Sequence, residues 1–291
     1  MDKQIIIKDL LISYSETQGD GGRTLLFLHG WRSSAQVWQG IIERFKDSTH
    51  STSSGQAIER LTIYALDLPG FGGSQMIKNP HSSFDASGHL LPGGEGGNSV
   101  ADYADVVADF IKKLDLKNVI VVGHSFGGRV GIKLASNYPS LITKLVLVDS
   151  AGFAMTSSRK NFYRSMAKIV KPIFKPQFMQ GLRKKIYQKI GAEDYVATPE
   201  LQKTFVNITS EDLSADMKNI KCPTLIINGE KDHDTPFEFG NRMYALIPKS
   251  RFVILKNAGH FSFLDQTKEF TAVLHRFITD DPTNKFYNGF R

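Results

Sequence analysis

"VIVVGHSFGGRVGIKLA", residues 119–135, joins two different periodicities. Val119–Val122 is a run of β-branched and apolar residues, the mark of a strand buried on both faces. Past Ser125 the pattern becomes helical. The serine sits at the join, with Gly123, Gly127 and Gly128 around it. A nucleophile held on a tight strand-to-helix turn takes a strained backbone conformation, and its neighbours need to be small. Gly123-His124-Ser125-Phe126-Gly127 therefore reads as G-x-S-x-G, with Ser125 as the candidate nucleophile.

Working outward, similar apolar runs at 24–28, 61–66, 145–149, 224–228 and 252–255 read as buried strands. Segments of helical period lie between them. In 100–114, Val100, Tyr103, Ala104, Val107, Ile111 and Leu114 form one stripe, and Ser99 is a candidate N-cap. The alternation predicts an α/β fold: a mostly parallel central sheet flanked by helices. Strands near 4–7 and 10–14 are expected to form an antiparallel edge. The alternation breaks over about 153–213, where helical segments at 159–170, 177–190 and 199–210 predict a helical cap. The expected organisation is core over 1–152, cap over 153–213, core again over 214–280 and a tail over 281–291. Polar loops are expected at 47–60 and 77–98.

A serine hydroxyl is a weak nucleophile without a base. His260 in "LKNAGHFSFLD", just after the last expected strand, is the candidate. The imidazole also needs a group that orients it and stabilises its charged form. "NGEKDHDTP" follows the strand at 224–228 and offers Glu230, Asp232 and Asp234. Asp232 is the choice, with Glu230 and Asp234 read as solvated turn residues and Asp149, at the end of another strand, as the reserve. An oxyanion would be met by the backbone N–H groups of Phe126 and Trp31, with Gly30 letting the second loop approach. Gly30, His29, Phe261, Phe162 and Met166 are the expected pocket residues, while His29 and His124 are also expected to steady loops through hydrogen bonds. The remaining histidines have no metal-ligand spacing, so no metal is expected.

Five stretches, "LHGWRSSAQVW", "DLPGFGGS", "GHSFGGR", "NGEKDHDTP" and "NAGHFSFLD", occur in this order between about residues 24 and 279. Together they resemble the α/β-hydrolase superfamily of serine hydrolases. "HGW…AQVW" with "DLPGFG" is similar to the branch holding pimeloyl-carrier-protein methyl ester esterases and general carboxylesterases, although that branch is closer to "GWSLGG" at the turn. The resemblance implies a Ser-Asp-His order along the chain and hydrolysis of a carboxylic ester through an acyl-enzyme, with no cofactor. Two alternatives stay open. One is a C–C bond hydrolase of the meta-cleavage type; the other is a ligand receptor that keeps the triad but turns over slowly.

The chain carries a formal net charge of +7. Much of the excess lies between Met155 and Ala192, which hold ten Lys or Arg residues, Lys184 and Lys185 among them, and no acidic residue. Solvation of a helical surface accounts for such a run, and so would docking of an acidic carrier protein, attraction of an anionic acyl substrate or contact with a membrane surface. Nucleic acid is not an expected partner, since no recognised module accompanies the charge. No apolar stretch reaches the ~18 residues of a membrane span. Cys222 is the sole cysteine, which rules out an internal disulfide. The N-terminus lacks the basic start of a secretory signal, and a cytoplasmic address is expected.

Overall fold

The computed structural model describes residues 2–19, 22–48, 61–77, 97–154 and 201–279. The helices expected at 159–170 and 177–190, the basic run, Phe162, Met166 and the tail 281–291 lie outside these residues, as do most of the two polar loops.

Eight strands form one sheet: β1 (Asp2–Ile7), β2 (Leu10–Thr17), β3 (Thr24–Leu28), β4 (Thr62–Leu66), β5 (Val119–His124), β6 (Ile142–Val148), β7 (Thr224–Gly229) and β8 (Ser250–Leu255). Their order is β1-β2-β4-β3-β5-β6-β7-β8, and β2 alone runs against its neighbours. Every residue of β3, β5 and β7 is buried, as a parallel sheet covered on both faces requires, whereas the edge strand β1 is mostly exposed. β6 starts three residues before the apolar run "LVLVD". After the buried Ile142 come two polar residues, Thr143 and Lys144; Thr143 Oγ1 donates to the Val119 carbonyl, and the register with β5 slips there. Lys144 Nζ meanwhile reaches the carbonyls of Phe277 and Ile278.

The helices among the described residues are α1 (Gln39–Ser48), α2 (Val100–Lys113), α3 (Phe126–Asn137), α4 (Gln202–Ser210), α5 (Ser214–Asn219), α6 (Phe237–Leu246), α7 (Ser262–Asp265) and α8 (Thr267–Thr279). Phe27, Ile63, Val122, Val146 and Ile227 on one sheet face pack with Ile41 and Phe45 of α1 and Phe270, Leu274 and Phe277 of α8. Trp38 sits in this layer, stacked 4.2 Å from the Phe263 ring. On the other face α3 lies close: a Cβ at Gly131 would meet Leu145 at 3.0 Å and Val121 at 3.6 Å.

The chain divides into two compact units, one of residues 1–79, 100–152 and 212–291, the other of 80–99 and 153–211. The first holds the whole sheet. In the second, the described segment 97–99 is tied to α4: Asn98 N–H donates to Thr204 Oγ1 at 3.0 Å and Asn207 Nδ2 to the Gly97 carbonyl at 3.0 Å. Among the described residues no helix is long and apolar enough to cross a membrane.

Strand order reverses at β3, whose neighbours β4 and β5 both follow it in sequence. In open α/β sheets the crevice outside the carboxyl ends at such a point is where ligands bind. Ser125 leaves β5 there, beside the loop that leaves β3.

Candidate active site

Ser125 stands between β5 and α3 with φ 51° and ψ −108°, a left-handed conformation that a residue with a Cβ adopts only when the surroundings impose it. The imposing contacts are visible. Its N–H donates to the Val148 carbonyl at 3.0 Å, and its carbonyl accepts from Gly128 and Arg129 at 3.1 and 3.3 Å. A Cβ on Gly123 would overlap the Gly127 backbone, one on Gly127 the Leu28 carbonyl, and one on Gly128 the Ser150 hydroxyl. Those three glycines thus let β5, α3 and the end of β3 converge on a single turn.

His260 follows β8 and reaches the serine. The Ser125 hydroxyl donates to His260 Nε2 at 3.1 Å, and His260 Nδ1–H donates to Asp232 Oδ2 at 2.9 Å. These partners define the neutral imidazole with its proton on Nδ1. Asp232, on the turn after β7, accepts three further bonds. Its Oδ1 takes the N–H groups of Asp234 (2.8 Å) and Thr235 (3.0 Å), and its Oδ2 takes the Thr235 hydroxyl at 2.7 Å. Burial would raise the pKa of this carboxyl; His260 and Thr235 outweigh that and hold it below the ordinary value. For His260, burial acts to lower the pKa, and Asp232 reverses this, leaving it above 6.5. Asp232, Asp234 and His260 also form the one cluster among the described residues that could offer three ligand atoms to a metal ion. Two of those side chains already spend Nδ1 and Oδ2 on each other.

Asp149, the reserve acid, does other work. It is fully buried, with Oδ1 accepting Gly229 N–H at 2.7 Å and Oδ2 accepting Ser262 N–H at 2.9 Å. One side chain therefore joins the loop carrying Asp232 to the loop carrying His260. Burial pushes its pKa up to about 7 despite these bonds.

The loop after β3 is held from below. His29 is fully buried; its Nδ1–H donates to the Gly30 carbonyl at 2.7 Å and its Nε2 accepts Leu68 N–H at 2.9 Å. The expected loop-steadying bonds are thus present. The expected pocket position needs correcting, because a ring with no exposed surface and both nitrogens engaged lines no opening. Burial lowers its pKa to about 4. Asp67 ties the same loop to "DLPGFGGS" through Ala35 N–H (2.7 Å) and Gly73 N–H (2.9 Å). Gly30 runs against the serine turn: a Cβ there would lie 2.9 Å from His124 Nδ1 and 3.3 Å from Ser125 Cβ. Trp31 and Phe126 bring their rings to 5.3 Å, and the Phe126 ring is buried. As the first residue of α3, Phe126 has an N–H with no intrahelical acceptor.

Phe261 is 42% exposed, its ring 5.6 Å from that of His260. Two residues matter more than the sequence suggested. His124 Nε2–H donates to the His260 carbonyl at 2.7 Å, gripping His260 from behind, and burial lowers the His124 pKa to about 3. Thr235 touches the Asp232 carboxylate that faces His260. No spacing rule finds either, since their partners are 136 and 3 to 86 residues away.

A model of the Alpha/beta hydrolase family matches residues 25–273. AB hydrolase superfamily protein YisY of Bacillus subtilis (strain 168) is 25% identical over 280 residues, covering 88% of this chain and 91% of that protein. The pimeloyl-[acyl-carrier protein] methyl ester esterase of Proteus mirabilis (strain HI4320) is 26% identical over 280 residues, covering 90% and 94%. Among solved structures, the esterase EaEST from Exiguobacterium antarcticum superimposes with a TM-score of 0.70 at 21% identity, covering 96% of this chain and all of that one, a likeness of fold.

Proposed function

The chain belongs to the alpha/beta hydrolase family, and we propose that it is a serine esterase in which Ser125, His260 and Asp232 form a catalytic triad. The observation that carries this reading is the continuous line of hydrogen bonds from the Ser125 hydroxyl through both imidazole nitrogens to the Asp232 carboxylate. Ser125 Oγ adds to the acyl carbon as its proton passes to His260 Nε2. Asp232 keeps the imidazole in the Nδ1–H tautomer and stabilises the imidazolium. The N–H groups of Phe126 and Trp31 receive the oxyanion. Collapse of the tetrahedral intermediate breaks the ester C–O bond, and the imidazolium protonates the departing alkoxide. Water then gives a proton to His260 and adds to the acyl carbon; the C–O bond to Ser125 breaks, Ser125 Oγ regains that proton from the imidazolium, and the acid leaves. No cofactor enters these steps.

The substrate is a small to medium apolar acyl ester, the aromatic surroundings of Trp31 and Phe261 favouring such a chain. A carrier-bound ester is the specific form suggested by the relatives named pimeloyl-[acyl-carrier protein] methyl ester esterase. The basic run 155–192 offers charge of the sign an acidic carrier would meet.

Hydrolysis of p-nitrophenyl esters from acetate to dodecanoate, with S125A as blank, tests the reading. Serine-dependent turnover with a maximum at one chain length is expected. Folded protein without turnover on any ester, free or carrier-bound, would overturn it in favour of C–C hydrolysis or ligand reception.

A further inference from the structure

The Thr235 hydroxyl has one proton and three neighbours. Asp232 Oδ2 lies at 2.7 Å, the Asp149 carbonyl at 2.9 Å and His260 Nδ1 at 3.4 Å. Neither oxygen neighbour can donate a proton, so the single O–H serves one of them at a time. The ionised carboxylate is the stronger acceptor, since charge-assisted bonds are about twice as strong as neutral ones. The side chain is 5% exposed, so no solvent competes for the choice.

We infer that Thr235 is a positioning residue for the esterase proposed above, its hydroxyl locking Asp232 Oδ2 onto the His260 Nδ1–H. The geometry separates two duties within one side chain and its backbone. Thr235 N–H, with that of Asp234, fixes Oδ1 and so the plane of the carboxylate. The hydroxyl approaches the other oxygen from beside the imidazole and restrains rotation of the acid away from the base. Asp149 sets the hydroxyl's place: its carbonyl stands as the alternative acceptor, while its carboxylate holds Gly229 and Ser262 on the two loops involved. Loss of the hydroxyl leaves Oδ2 with one donor in a buried site. The acid then turns more freely, and the cost appears in the chemical step rather than in binding, because Thr235 acts through Asp232 alone.

The test is Thr235→Val, which keeps shape and backbone N–H, beside Thr235→Ser, which restores the hydroxyl. A bond to a charged group is worth enough that T235V should lower kcat by about tenfold, with KM within about twofold, and T235S should recover most of it. In a D232N background the Val substitution should cost less than about twofold, because the residue it acts through is already neutralised. Equal cost in both backgrounds, or T235S behaving like T235V, would overturn the inference, as would wild-type kcat in T235V. If T235V melts early, T235A takes its place in the same cycle. The low-field NMR signal of the His260 Nδ1 proton is a readout free of turnover. It should shift or broaden in T235V and return in T235S; an unchanged signal in T235V counts against Thr235. Should wild type show no Ser125-dependent hydrolysis, the esterase reading falls while this signal still decides the role of Thr235.

Discussion

Replacing Asp232 by Asn should cost about 10³- to 10⁴-fold in kcat, or ~4–5.5 kcal/mol of barrier, and leave the protein folded. The structure says why the amide cannot escape this outcome by rotating. Oδ1 accepts two backbone N–H groups, at 2.8 and 3.0 Å. An Asn that placed its NH2 there would break both bonds and set donor against donor, at about 1–3 kcal/mol for each donor left unpaired. The carbonyl oxygen therefore stays at Oδ1 and the NH2 occupies the place of Oδ2, facing His260 Nδ1. A donor at that place makes Nδ1 an acceptor, so the neutral ring carries its proton on Nε2. The nitrogen that should take the Ser125 proton is then already protonated. Stability suffers far less, since the Thr235 hydroxyl can turn to the Asp149 carbonyl 2.9 Å away and accept from the new amide. The assay is kcat on the best p-nitrophenyl ester beside a thermal melt. D149N is the control: it sets an amide N–H against one of two backbone N–H groups, and its main expected effect is a lower Tm. If D232N kept more than a tenth of the activity while D149N lost it at unchanged Tm, the acid would be Asp149 and the reasoning refuted.

The pH profile gives a second prediction. The base works only as neutral imidazole, so kcat/KM should rise with pH through a midpoint above 6.5, the direction Asp232 imposes on His260. In D232N only the charges of Asp234 and Asp149 still oppose burial, and the midpoint should move down; a midpoint below 6.5 in wild type would contradict the coupling. The same raised pKa stabilises the fold fully below pH ~6.5, and that contribution fades as pH passes the folded-state value. Gly30→Ala should cut kcat by about tenfold or more with a stability loss of about 1–3 kcal/mol, as overpacking does. The new methyl would lie 2.9 Å from His124 Nδ1, and that ring can recede only by straining its bond to the His260 carbonyl; wild-type kcat in G30A would refute the contact. Lys144→Ala should lower Tm without altering kcat, because it removes a cation from two C-terminal carbonyls of α8, Phe277 and Ile278; unchanged melting would show the interaction is worth nothing.

The strands were legible where burial alone decides them. β3 coincides with its apolar run at 24–28, and the strand-to-helix turn at Ser125 is written in the spacing of Gly123, Ser125 and Gly127. β6 was misread at its start because Thr143 and Lys144 belong to the strand through long-range partners, Val119 and the end of α8, which composition does not display. His29 could be placed in its loop but not assigned a direction, since that depends on the Leu68 N–H arriving from another strand's end.

The choice between Asp149 and Asp232 marks the same boundary more sharply. Each follows a strand, each is buried, and both approach the loop that carries His260. What separates them is the set of donors. Asp149 meets two backbone amides, too few to offset burial, and its pKa climbs to about 7. Asp232 meets two amides, a hydroxyl and an imidazole N–H, and is held below the ordinary carboxylate value. At neutral pH the second is the dependable negative charge. A group meant to stabilise an imidazolium for the length of a reaction step has to be the one that stays ionised, and two environments that push like groups apart assign their roles. Asp232 is thus suited to the base, and Asp149 to the loops that hold them both.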